Sequence, residues 1–147
     1  MQTKNLGWAW VLLLVAAVAG CSRPPPEQRL RQSIAQMQAA VEEGDRRGFL
    51  RHVDEEFVGN GGMDREQLER MLRAHMLVNK QVGVHLGPLD IEMGDGTAVV
   101  RFTAALTGGS GGLLPERARM QSITSGWREV EGQWQVYHAQ WQGPGRD

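Results

Sequence analysis

The side chains best suited to chemistry in this 147-residue chain are four histidines and one cysteine, and the most suggestive backbone is a glycine-rich run. His52, His75, His85 and His138 are scattered, with no His-x-His or His-Glu-x-x-His spacing. Local sequence therefore builds no metal site, and no cofactor is expected. No serine stands in a Gly-x-Ser-x-Gly elbow, so nucleophilic acyl transfer lacks its usual residue. Gly108-Gly109-Ser110-Gly111-Gly112 has the glycines of a phosphate loop. It lacks the following lysine and the helix N-terminus that would meet a phosphate, so it reads as a connector between strands.

Cys21 has a stronger context. A polar start with Lys4 precedes an apolar run from Leu6 to Ala19. A membrane-spanning helix needs roughly 20 apolar residues, whereas a signal-peptide core needs roughly 7–15. The run closes on Val18-Ala19-Gly20-Cys21, small residues before the only cysteine. This resembles the bacterial lipobox, in which the leader is cut away and the thiol is acylated. The reading is residues 1–20 as signal peptide and Cys21 as the lipidation site. Without a second cysteine the exported domain forms no internal disulfide and depends on its core. Ser22 is not the aspartate that retains such lipoproteins at the inner membrane. The resemblance thus implies an outer-membrane anchor facing the periplasm.

The net charge is −1, and loss of Lys4 makes it one unit more negative. A nucleic-acid partner would call for a basic excess, which is absent. Attachment to the membrane is expected through lipid, which holds firmly when several acyl chains are present.

These residues need elements to position them. Residues 21–28, with Pro24-Pro25-Pro26, read as an extended tether holding the domain off the bilayer. From Glu27 to Glu43, Leu30, Ile34, Met37 and Val41 form one helical stripe. Gly44 ends it, and Asp45 caps a short second helix carrying Phe49, Leu50 and Val53. A short strand at Glu56–Val58 leads to a turn at Asn60-Gly61-Gly62. Asp64 and Gln67 resemble a capping box opening a third helix, with Leu68, Met71, Leu72, His75 and Met76 on one stripe. Period-two alternation then begins: Val82, Val84, Leu86; Leu89, Ile91, Met93; and, after the Gly94-Asp95-Gly96 hairpin signal, Ala98, Val100, Phe102, Ala104 and Leu106. A long strand at about 117–127, a turn at Val130–Gln133 and a last strand to Trp141 complete a domain over 29–142, with a tail at 143–147. Helices first and antiparallel strands after argue for an α+β class.

Element order, Asp54-Glu55-Glu56-Phe57-Val58, Gly126-Trp127-Arg128 and the closing Gly132-Gln133-Trp134-Gln135-Val136-Tyr137-His138 are similar to the nuclear transport factor 2-like (SnoaL-like) superfamily. The resemblance covers Leu30 to Trp141. It implies a cone: three N-terminal helices packed in a strongly curved, mostly antiparallel sheet, with a pocket at the open end. Leu113 and Leu114 would then flap over that end. The family includes isomerases, cyclases and dehydratases as well as non-catalytic domains, so fold alone does not name an activity.

Laid on the isomerase pattern, Asn60 takes the place of the catalytic aspartate. A carboxamide accepts no proton near neutral pH, so Asn60 is either a ligand-orienting group or a turn residue. His75 reads as a core histidine or a pocket wall. His138, expected to share a strand face with Trp134 and Val136, is the leading candidate for a polar contact. Asn60, His75, Trp134 and His138 are therefore the expected pocket residues. Arg101 and Arg128 could pair with Asp90 and Glu92 across the sheet. A second copy could pair through the convex sheet face, with one of Trp127, Trp134 and Trp141 exposed there. The function expected is binding of a small apolar ligand or an envelope protein, without catalysis. The alternative is an isomerase, cyclase or hydratase using His138 or His75 with Asp54.

Overall fold

The computed structural model describes residues 22–78, 81–108 and 119–143. Cys21, the leader, Leu113 and Leu114, most of the glycine-rich connector and nearly all of the tail lie outside them. Among the described residues no helix is long and apolar enough to cross a membrane.

Helix α1 runs Pro26–Glu43, with Pro26 in the first turn, where a missing N–H costs nothing. It begins inside the segment read as tether. Leu30 and Ile34 are buried, Met37 packs beside them, and Val41 is half-buried, as their spacing requires. Gly44 ends α1 at φ 70, and the N–H of Asp45 reaches back to the Ala40 carbonyl at 2.8 Å. Asp45 then caps α2 (Arg46–Leu50), its carboxylate accepting from the Gly48 N–H at 2.9 Å.

Strand β1 (Val53–Val58) leads through a 3₁₀ turn at Asn60–Gly62 to α3 (Arg65–Val78). The capping box forms as its spacing predicts. Asp64 accepts from the Gln67 N–H at 2.8 Å, and Gln67 accepts from the Asp64 N–H at 3.0 Å. Leu68 is buried and Leu72 and Met76 are half-buried, but Met71 and His75 are exposed. The expected stripe is therefore too wide. Among the described residues helix α3 packs chiefly against α2 and β1, which covers only a narrow face.

The remaining strands are β2 (Val82–Leu86), β3 (Asp90–Met93), β4 (Thr97–Gly108), β5 (Arg119–Val130) and β6 (Gln133–Gln142). Among the described residues the strand order is β1-β6-β5-β4-β2, with β3 also on β4; β1 and β6 run parallel and the other pairs antiparallel. Leu30, Ile34, Leu50 and Leu68 from the helices meet Val100, Trp127, Trp134 and Val136 on one face of the curved sheet. Burying each large side chain is worth about 1.5–3 kcal/mol. Trp134 and Trp127 are only 1% and 3% exposed, and Trp141 packs half-buried against the same cluster, so none of the three forms an exposed aromatic patch.

Strand β6 departs from simple alternation. Trp127 faces Val136, but the next residue back on β5, Gly126, faces His138. Tyr137 is the extra residue of a β-bulge. Beyond it the inward side chains are Ala139 and Trp141, opposite Ser125 and Ile123. His138 therefore points to the outer face, away from Trp134 and Val136. This corrects the expected shared face, because one inserted residue reverses every later side chain.

Candidate functional site

Asp54, one residue past the inward Val53, faces outward from β1 yet is only 3% exposed, because Arg128 covers it. Arg128 reaches from β5 with Nε to Oδ2 at 2.6 Å and Nη2 to Oδ1 at 2.5 Å, and also contacts Glu56 at 2.8 Å. The Arg128 guanidinium holds the Asp54 carboxyl below its ordinary value, against the opposing effect of burial. Its carbon lies 5.6 Å from the centre of the Tyr137 ring. Gly126 leaves room for that ring, since a Cβ there would sit 2.9 Å from it. Arg128 thus pairs with β1, whereas Arg101 takes the expected partners, Glu92 at 3.0 Å and Asp90 at 3.8 Å.

The four expected pocket residues are not gathered at one place. Asn60 exchanges hydrogen bonds with the main chain of Trp141. His75 is exposed on α3, and His138 lies on the outer face of β6. Of the four, Trp134 lines a groove between α1, α2 and the start of β6.

The groove has a volume of about 500 Å³. Its walls include Arg29, Ser33, Ala40, Gly48, His52 and Trp134. Gly48 keeps one wall low: a Cβ there would sit 2.3 Å from the capping carboxylate of Asp45. Two wall nitrogens, Trp134 Nε1 and His52 Nδ1, are buried without a hydrogen-bond partner. A buried polar group left in that state costs about 1–3 kcal/mol. Burial pushes the His52 imidazole below its ordinary 6.5; a backbone hydrogen bond to Trp134 opposes this, and nearby Arg51 adds to it. His52 is therefore neutral near pH 7, and with its one N–H directed at the Trp134 backbone its unpartnered Nδ1 is left as an acceptor. Trp134 Nε1–H can only donate. A partner for the Trp134 Nε1–H would have to be a hydrogen-bond acceptor, such as a carbonyl, ether or hydroxyl oxygen.

His52 was visible in the sequence only as one of four scattered histidines. Its pairing with Trp134 links residues 82 positions apart through the β1–β6 contact, which no local spacing signals. Among the described residues no group of His, Cys, Asp and Glu is arranged to hold a metal ion.

No family model matches the chain, and no curated protein does. Solved structures do. A nuclear transport factor 2-like protein of unknown function from Pseudomonas putida KT2440 superposes with a TM-score of 0.71 at 20% identity, over 82% of this chain and 87% of that one. A protein from Novosphingobium aromaticivorans, provisionally assigned as a scytalone dehydratase, gives 0.69 at 12% identity, over 81% and 84%. Bd1075 of Bdellovibrio bacteriovorus gives 0.71 at 13% identity, over 82% of this chain; the match spans 41% of the length of that protein. At these identities the likeness is one of fold, and the fold of this chain is the nuclear transport factor 2-like cone of helices in a curved sheet.

Proposed function

We propose that this protein is a lipoprotein of the cell envelope, acylated at Cys21 and held at the outer membrane facing the periplasm. Its domain binds a small, largely apolar ligand, or an apolar segment of a partner protein, without transforming it. The observation that carries the binding reading is the groove between α1, α2 and β6, whose lining residues include His52 and Trp134, each holding a buried nitrogen without a hydrogen-bond partner among the described residues. The favoured ligand therefore carries at least one oxygen acceptor among its apolar atoms. Ala39, Ala40 and the Trp134 ring supply apolar wall, and Ser33 and Gln36 supply the polar rim. The anchor is supported by the leader, the apolar run and the small residues before Cys21.

Binding is tested by thermal shift and titration of the purified domain against apolar compounds with and without an oxygen acceptor. Wild type is expected to bind the acceptor-bearing set. Trp134→Phe, which keeps an aromatic ring but loses the donor, is expected to weaken binding about tenfold, the worth of one buried hydrogen bond. A domain that shifts with no compound and captures no envelope protein overturns the reading. Mass spectrometry of the natively expressed product tests the anchor, with a free Cys21 thiol as the contrary result.

A second reading, a hydratase- or isomerase-type enzyme, rests on a different observation. Neutral His52 shares its groove with the carboxylates of Glu43 and Asp45. Against it, Asp45 is engaged as a helix cap. Asp54, the partner expected from sequence, is locked to Arg128 on the far side of the sheet. Turnover lost in His52→Gln while ligand binding is retained would favour this reading.

A further inference from the structure

Arg23 and Pro24, just after the cysteine proposed to be acylated, make contacts with the domain. The Arg23 guanidinium donates to the Gly132 carbonyl at 2.8 Å and approaches Glu129 at 3.5 Å. Arg29, from the first turns of α1, grips the same two residues: Nη1 to Glu129 Oε1 at 2.7 Å, Nη2 to Oε2 at 3.3 Å, and Nη1 to the Gly132 carbonyl at 3.1 Å. Its Nε closes the arrangement by donating to the Pro24 carbonyl at 3.3 Å. Gly132 is favoured by its backbone conformation. It sits in the β5–β6 turn at φ 79, and a Cβ there would meet the Arg23 guanidinium at 2.3 Å.

From these contacts we propose that the segment is a docked strap rather than a free spacer, and that it fixes the β5–β6 turn of the domain against the lipid headgroups. The proposal rests on acylation of Cys21. One residue, Ser22, lies between Cys21 and Arg23, a span of about 7 Å when extended. The prolines at 24, 25 and 26 stiffen the chain beyond Arg23 and lead directly into α1. With the guanidinium seated on Gly132, the turn lies about 15 Å of chain and side chain from the acylated residue. The other end of β5 and β6, at Met120 and Gln142, is about 30 Å further along the strands. The domain therefore stands on its β5–β6 turn, with the β4–β5 end directed away from the membrane. The groove, which includes Arg29 and Gly132 in its wall, opens beside the strap at the membrane-proximal end. Its ligand would be met at headgroup level.

The test uses the full chain purified from membranes and reconstituted in phosphatidylethanolamine–phosphatidylglycerol vesicles. Single probes are placed by Glu131→Cys and Met120→Cys, and quenching is read with headgroup-labelled lipids. Strong quenching at 131 and little at 120 is expected. Arg23→Ala is expected to reduce the difference at least twofold while the protein stays on the vesicles. Equal quenching at both positions, on protein that still cosediments with vesicles, overturns the strap and leaves the anchor standing. A chain that does not cosediment and carries no acyl mass on Cys21 overturns the anchor and the orientation with it. A readout free of the membrane is backbone relaxation of the unacylated Cys21→Ser chain. Residues 23–25 as rigid as α1 support docking, and residues as mobile as a free terminus overturn it.

Discussion

Asn60 and the main chain of Trp141 exchange two hydrogen bonds. The carboxamide N–H donates to the Trp141 carbonyl at 2.7 Å, and the Trp141 N–H donates to Asn60 Oδ1 at 3.1 Å. A carboxamide is suited to this exchange because it donates and accepts from adjacent atoms. Asn60 thus fastens the turn after β1 to the last strand. Asn60→Ala is expected to cost about 1–3 kcal/mol, since it leaves two half-buried backbone groups unpaired. Asn60→Asp keeps the acceptor and loses the donor, so it should fall between. Urea midpoints measure both; an alanine variant as stable as wild type would show that the clamp contributes nothing.

Asp54 and Arg128 give the fold a dependence on acid. The folded-state pKa of Asp54 is held below its ordinary 3.8, chiefly by the hydrogen bonds from Arg128. The unfolded chain therefore binds a proton before the folded one does. This stability is present above pH about 4 and is lost as pH falls through the folded-state pKa. Asp54→Asn is expected to lower the urea midpoint at pH 7 and to flatten its decline between about pH 4 and pH 2. A variant whose decline in that window parallels wild type counts against the pairing.

His52 acts in a higher window. Its folded-state pKa lies below 6.5, so the unfolded chain takes up the proton first as pH drops. Stability is complete above pH 6.5 and declines below it, levelling out beneath the folded-state pKa. His52→Gln should remove this decline between about pH 7 and pH 5 without touching the one assigned to Asp54. Nuclear magnetic resonance titration of the ring gives the same answer directly, and a His52 midpoint at or above 6.5 contradicts it.

The Asp45 cap and Gly48 are coupled through space. Asp45→Ala should cost about 1 kcal/mol, the usual worth of an N-cap. Gly48→Ala in the wild type pushes a methyl group into the capping carboxylate and should cost a similar amount, despite alanine's better helix propensity. In the Asp45→Ala background the obstruction is gone, so Gly48→Ala should become neutral or stabilising. Additive losses in the double variant would refute the coupling.

Much of this molecule is written locally. The Leu30–Ile34–Met37–Val41 stripe, the Asp45 and Asp64 caps, the Gly94–Gly96 turn and the alternation of β4 each depend on residues a few positions apart, and each forms where its spacing places it. Helices followed by antiparallel strands also settle the α+β class, because each element shows which face it must bury. The proposed leader and lipidation at Cys21 also rest on a local pattern, that of residues 4–21.

Other features were decided only when the strands met. The bulge at Tyr137 turns His138 outward, and nothing in the spacing of Trp134, Val136 and His138 announces it, since a one-residue slip exists only relative to the partner strand. The same holds for Arg128 over Asp54, Asn60 on Trp141, Arg23 on Gly132, and His52 beside Trp134. Each joins residues more than 70 positions apart. Sequence fixes what such side chains can offer: a proton, a charge, a carboxamide. Which partner receives it depends on the register and curvature of the assembled sheet, and these are set by packing the whole core at once.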